Sequence, residues 1–180
     1  KARVIDKVLQ QPFYTEMRTN QQLGYIVWSY TRNIKETYYL NFLIQSGVYP
    51  ADELDRRADN FIAVSAADNF EKMEDPIFNQ IIESCIEQLE KNPMSISEKA
   101  TKYKTAIFEY DLNYKRDEET IIALKELEKE EVLQELERII SPETRKMINL
   151  LSFAQNHKKE SKTNSSFENL EEWKSSRSYK

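Results

Sequence analysis

Histidine and cysteine are almost missing from this 180-residue chain, which has only His157 and Cys85. Protein zinc sites take three or four His, Cys or carboxylate ligands, and His157 stands in a polar stretch with no His or Cys companion at useful spacing. The residues therefore offer no metal site and no cofactor site of their own. One cysteine forms no internal disulfide, which suits the cytoplasm and equally a periplasmic protein without disulfides. Cys85 falls on an apolar helical stripe with no base beside it and reads as a structural thiol. Glycine is also scarce. With only Gly24 and Gly47, no phosphate-cradling loop can be built. The formal net charge of -5 gives no long-range attraction to polyphosphate, which argues against nucleic acid as the main partner. No apolar run approaches the roughly 18 residues a membrane span needs. No signal peptide opens the chain.

Ten Tyr, eight Phe and two Trp nevertheless supply enough large apolar surface for one core. Val4, Ile5, Val8 and Leu9 mark a helical face ahead of Pro12, which should kink the helix or start a new one. Gly24 reads as a conformation that other residues disfavour. Residues 25–30 and 37–45 are rich in β-branched and aromatic residues and read as two strands, joined by a polar connection over 31–36. Leu54, Ala58, Phe61, Ile62 and Ser65 then line a helix of about five turns. Asp75-Pro76 starts another helix, with Ile77, Ile81, Ile82, Cys85 and Leu89 as its stripe. Ser95 and Glu98 form a capping box for a helix expected to bury Ala100, Tyr103, Ile107 and Phe108. Two more helices are expected over 118–127 and 129–140, and a buried third strand over 146–153.

The layout predicts an α+β fold, with helices packed on one face of a small, mostly antiparallel sheet. Residues 1–154 form the domain, 155–166 a polar linker, and 167–180 a tail whose Phe167, Leu170 and Trp173 suit a short docking helix. The first nine residues already read as mid-helix, so the chain is expected to be a piece of a longer polypeptide whose sheet lacks its first strand. An open edge and a tendency to self-associate should follow.

Most charged residues read as solvated surface. Glu126, Glu128, Glu130, Glu131, Glu135 and Glu137 interleave with Lys125, Lys129 and Arg138 in the manner of helical i,i+4 pairs. The alternating aromatics Tyr38, Tyr39 and Phe42, with Trp28 and Tyr30, read as core packing on one side and an exposed far face on the other. Arg18 and Tyr25 differ. The run R-T-N-Q-Q-L-G-Y from Arg18 to Tyr25 crosses one helix-to-strand reversal and can aim two long polar side chains into a shared space. The structural alternative is a helix-end arginine near backbone carbonyls and a tyrosine packed at a strand start.

Residues 11–27, Q-P-F-Y-T-E-M-R-T-N-Q-Q-L-G-Y-I-V, closely resemble the C-terminal half of the pitrilysin and insulin-degrading enzyme family, the inverted-zinc-motif metallopeptidases. F-L-I-Q-S at 42–46, the helix of Lys102 and Tyr103, and N-L-E-E-W-K at 169–174 add to the resemblance. In that family four homologous α+β domains form two halves that close around a chamber, and the first domain carries zinc on H-x-x-E-H. The resemblance implies that this chain is most of the fourth, non-catalytic domain, with zinc held elsewhere in the parent. It implies Arg18 and Tyr25 as substrate-binding groups that stabilise the transition state. It also implies the N-terminal catalytic half and peptide substrates as partners, and a periplasmic location in a bacterium, with the cytoplasm as alternative. A stand-alone protein-interaction module and the inactive subunit of a two-chain processing peptidase are the rival readings.

Overall fold

The computed structural model describes residues 1–34, 37–155, 157 and 170–175. Its first helix, α1 (Ala2–Tyr14), buries Val4, Ile5, Val8, Leu9 and Phe13. The i, i+4 spacing of these residues puts them on one stripe. The helix runs on through Pro12, and no break occurs there. The distortion comes three residues later, where the coil widens into a π-helical turn, Thr15–Asn20. Two strands follow, β1 (Ile26–Ile34) and β2 (Thr37–Gln45), paired antiparallel so that Val27 faces Ile44, Ser29 faces Phe42 and Thr31 faces Leu40.

The period of two decides the two faces of this hairpin. Val27 and Ser29 are buried against α1, whereas Trp28, Tyr30, Tyr39 and Leu43 stand exposed on the opposite side. β1 is longer than the predicted strand because Thr31 to Ile34 continue the ladder; Lys35 and Glu36 lie outside the described residues.

After the hairpin come α2 (Ala51–Asn60), a second π-helical turn (Phe61–Ser65) and α3 (Ala66–Glu71), one continuous coil of about the predicted length. Phe13 joins the layers. Its ring centroid lies 4.8 Å from Phe42 on β2 and 5.3 Å from Phe61 on the second π turn. The helices α4 (Asp75–Glu90), α5 (Ile96–Glu109), α6 (Arg116–Lys125) and α7 (Lys129–Ile140) complete the domain. Cys85, Leu89, Val132 and Leu136 extend the core formed by α1. The fold is α+β, with helices on one face of a small antiparallel sheet.

Two further expectations about the elements are corrected. Residues 146–153 form no strand. Residues 146–150 are exposed, and Arg145, just ahead of the segment, makes an ion pair with Asp59 of α2 at 2.7 Å. A strand needs a neighbouring backbone to complete its hydrogen bonds, and the described sheet has only two strands. The second correction concerns α5. Ser95 caps it as predicted, accepting from the Glu98 amide at 3.1 Å, while the Glu98 carboxylate accepts from the Met94 amide at 2.7 Å. Yet Ala100, Tyr103, Ile107 and Phe108 are exposed, and only Ala106 of that helix is buried. Periodicity makes the helix amphipathic but supplies nothing to cover its stripe.

The last described helix, α8 (Leu170–Ser175), falls where the tail was predicted to be helical. Phe167 and nearly all of the 155–166 linker lie outside the described residues.

Candidate functional site

The reversal between α1 and β1 is built from three local devices. The first π turn ends on a backbone bond from the Gln21 amide to the Glu16 carbonyl at 2.9 Å. Gln22 then takes a left-handed conformation (φ 52°), and the Leu23 amide closes on the Met17 carbonyl at 2.9 Å. This is a Schellman-like cap one residue wider than on an α-helix, with its hydrophobic contact supplied by the buried Met17 and Leu23. Gly24 follows. Its backbone conformation is ordinary, contrary to the sequence expectation; what it provides is space. A Cβ there would fall 1.9 Å from the Gln45 carbonyl oxygen, so only glycine lets the chain pass against the end of β2.

Tyr25 emerges from this reversal 81% exposed, just before β1. Arg18, on the π turn, donates from Nη1 to the Tyr25 carbonyl oxygen. Its guanidinium carbon lies 4.4 Å from the centroid of the Tyr25 ring and 5.5 Å from that of Tyr14. The structure thus brings together the two residues singled out from the sequence. A cation and a phenol stand side by side at one end of the hairpin, the phenol facing solvent. Such a pair can donate hydrogen bonds to a carbonyl oxygen and favours the anion that forms there.

Sequence reasoning missed the polar bracket behind Arg18. The Glu16 carboxylate accepts from Gln21 Nε2 at 2.8 Å and from Asn20 Nδ2 at 2.7 Å. These two bonds, Gln21's first, hold its carboxyl below the ordinary glutamate range. Gln21 Oε1 in turn accepts from Arg57 Nη1 at 3.3 Å. The Glu16–Asn20 pair has the i,i+4 spacing a sequence can suggest. The Gln21–Arg57 contact spans 36 positions and has no local signal.

The remaining singled-out residues are elsewhere. Cys85 is buried in the core, and burial pushes its thiol up. That places it far from a nucleophile's chemistry. Among the described residues, no three His, Cys, Asp or Glu side chains come together where they could hold a metal ion. The zinc implied by the resemblance has no ligand set among them. No described helix is long and apolar enough to cross a membrane.

Comparison with known proteins gives the family of the chain. The family model described as PQQ synthase PqqF-like, C-terminal lobe domain 4, matches residues 4–104, more than half of the chain. Human insulin-degrading enzyme is 31% identical over 129 residues, covering 71% of this chain and 12% of that protein. Protease 3 of Escherichia coli (strain K12) is 23% identical over 158 residues, covering 87% of this chain and 16% of that protein. In fold, the chain is similar to pitrilysin in its crystal structure, with a TM-score of 0.68 at 22% identity over 76% of this chain and 14% of that one. The chain thus spans 12 to 16% of the length of these two curated relatives. With the helix, the wide turn and the hairpin all inside the matched region, the chain belongs to the insulinase (pitrilysin) family of metallopeptidases, as domain 4 of the C-terminal lobe.

Proposed function

We propose that this domain serves a zinc metalloendopeptidase as a non-catalytic wall of its proteolytic chamber, and that Arg18 and Tyr25 engage the peptide being cleaved. The zinc belongs to the N-terminal half of the same polypeptide, and this domain supplies none of its ligands. The observation that carries the reading is the exposed phenol of Tyr25 beside the Arg18 guanidinium at a single chain reversal. Hydrolysis of a peptide bond builds negative charge on the carbonyl oxygen. A fixed guanidinium and a phenol favour that charge and orient the peptide backbone. Arg18 donates one hydrogen bond to the Tyr25 carbonyl. A substrate carbonyl would compete for the same donor.

Because these groups would approach from the opposite half, closure of the chamber would complete the site and gate turnover. The substrates are peptides, as the names of insulin-degrading enzyme and protease 3 suggest for those relatives. For a bacterial parent we assign the periplasm, with the cytoplasm as alternative; a single buried cysteine suits both. In the full-length peptidase, Arg18→Ala and Tyr25→Phe should each lower kcat on the order of 10²-fold. Bound zinc, measured by atomic emission, should stay the same. Unchanged kinetics in both variants would reduce the motif to a structural role.

A further inference from the structure

The bracket behind Arg18 has an unusual spacing. Positions five apart on an α-helix point about 140° away from each other, since each residue turns the coil by about 100°. Glu16 and Gln21 nevertheless touch twice. The Gln21 backbone amide donates to the Glu16 carbonyl at 2.9 Å, and the Gln21 side-chain amide donates to the Glu16 carboxylate at 2.8 Å. Both links are possible only while the coil holds its wide, i→i−5 form. π-Helical turns are uncommon, and tightening this one to an α turn would rotate the residues after the insertion by about 100°.

The side-chain link has an external anchor. Arg57, in the last turn of α2, donates from Nη1 to Gln21 Oε1 at 3.3 Å. Its own direction is fixed by Glu53, which accepts from Nε at 2.6 Å, and by the ring of Tyr49, 4.5 Å from the guanidinium carbon. The Gln21 amide therefore has one orientation that satisfies both ends: oxygen toward Arg57, nitrogen toward Glu16. Turning it over would set two donors against each other and two acceptors against each other. Glu16 on one side and Asn20 and Gln21 on the other flank Arg18 in sequence.

We infer that Arg57 is a positioning residue: acting through Gln21 and Glu16, it holds the π turn open and so sets the direction in which Arg18 is presented. This inference rests on the reading of Arg18 as a substrate-engaging group. Its mechanical part does not.

The test uses the full-length peptidase with Arg57→Met and Arg57→Lys, each also combined with Arg18→Ala. Hydrogen exchange over residues 15–25 should quicken roughly 10-fold in Arg57→Met, with α4 unchanged, because local opening of the bracketed turn becomes easier. With a fluorogenic peptide, kcat should fall roughly 10-fold in Arg57→Met. The loss should be partly restored in Arg57→Lys, which keeps the charge without the fork. In the Arg18→Ala background, Arg57→Met should change kcat by less than about 2-fold, since its effect runs through Arg18. Unchanged exchange over 15–25 would overturn the inference. So would the same fold-loss of kcat with and without Arg18. If Arg18→Ala alone leaves kcat intact, the substrate-engaging role fails, while the exchange experiment still decides whether Arg57 holds the turn.

Discussion

Helices α1 and α5 are written in similar patterns and meet opposite fates. Each carries apolar residues at helical spacing. On α1 Val4, Ile5, Val8, Leu9 and Phe13 are all buried, whereas on α5 Tyr103 and Ile107 are about half exposed and Phe108 is 67% exposed. The difference lies in what each helix faces. α1 lies against the hairpin on one side and α3, α4 and α7 on others. α5 presents its stripe to solvent. An amphipathic pattern thus fixes the phase of a helix but not its burial, because burial is a property of two surfaces.

The contrast can be broken most forcefully at Phe13. It fills the junction of α1, β2 and the second π turn, so Phe13→Ala should cost about 3–5 kcal/mol in urea unfolding. A loss no larger than that of a surface change would mean that α1 is not the centre of the core. Gly24→Ala comes next. The methyl would meet the Gln45 carbonyl, and relieving that contact should cost about 1–3 kcal/mol. An unaltered unfolding midpoint would show that the end of β2 can move aside.

Charge contributes less than packing, and it does so with a defined sign. Hydrogen bonds from Arg56, then Arg57, hold the Glu53 carboxyl down at about 2, whereas an unfolded glutamate titrates near about 4.3. Ionised Glu53 therefore stabilises the fold above the unfolded value, and that contribution is lost as pH falls through the interval toward about 2. Solvent screens the pair, so the effect should be modest. The urea midpoints of Glu53→Gln and the unaltered chain should differ at pH 6 and converge by about pH 2, as that interval requires. A gap that persists at low pH would assign the effect to shape rather than charge. The smallest change is expected on α5. Phe108→Ser should shift stability by less than about 0.5 kcal/mol. A large loss there would mean that the stripe is covered after all.

The same contrast explains which parts of the molecule were legible in the sequence. The start of α4 at Asp75-Pro76 and the Ser95 cap of α5 were legible because a few neighbouring residues fix them. The alternation of the strands was legible because neighbours such as Val27 and Trp28 must point opposite ways, but which of the two faces is buried was not. Residues 146–153 misled because a β-prone run becomes a strand only beside a partner backbone, and propensity is silent about partners. Gly24 misled in a different way. Its scarcity pointed to an unusual φ, whereas the left-handed residue is Gln22 and the glycine answers to a carbonyl 21 positions away. At the candidate site, Arg18 and Tyr25 were visible through their motif. Arg57 was not, because nothing near it in sequence refers to Gln21.

The amino-acid order alone settled what short-range sterics and hydrogen bonding can settle: where the coils start, which way alternate side chains point, and that a cation and a phenol share one reversal. Tertiary structure alone decided which apolar stripes are covered, that the turn carrying Arg18 is a wide one, and that an arginine from α2 braces it. Those outcomes depend on contacts between segments far apart in the chain, whose free energy exists only once the segments have met.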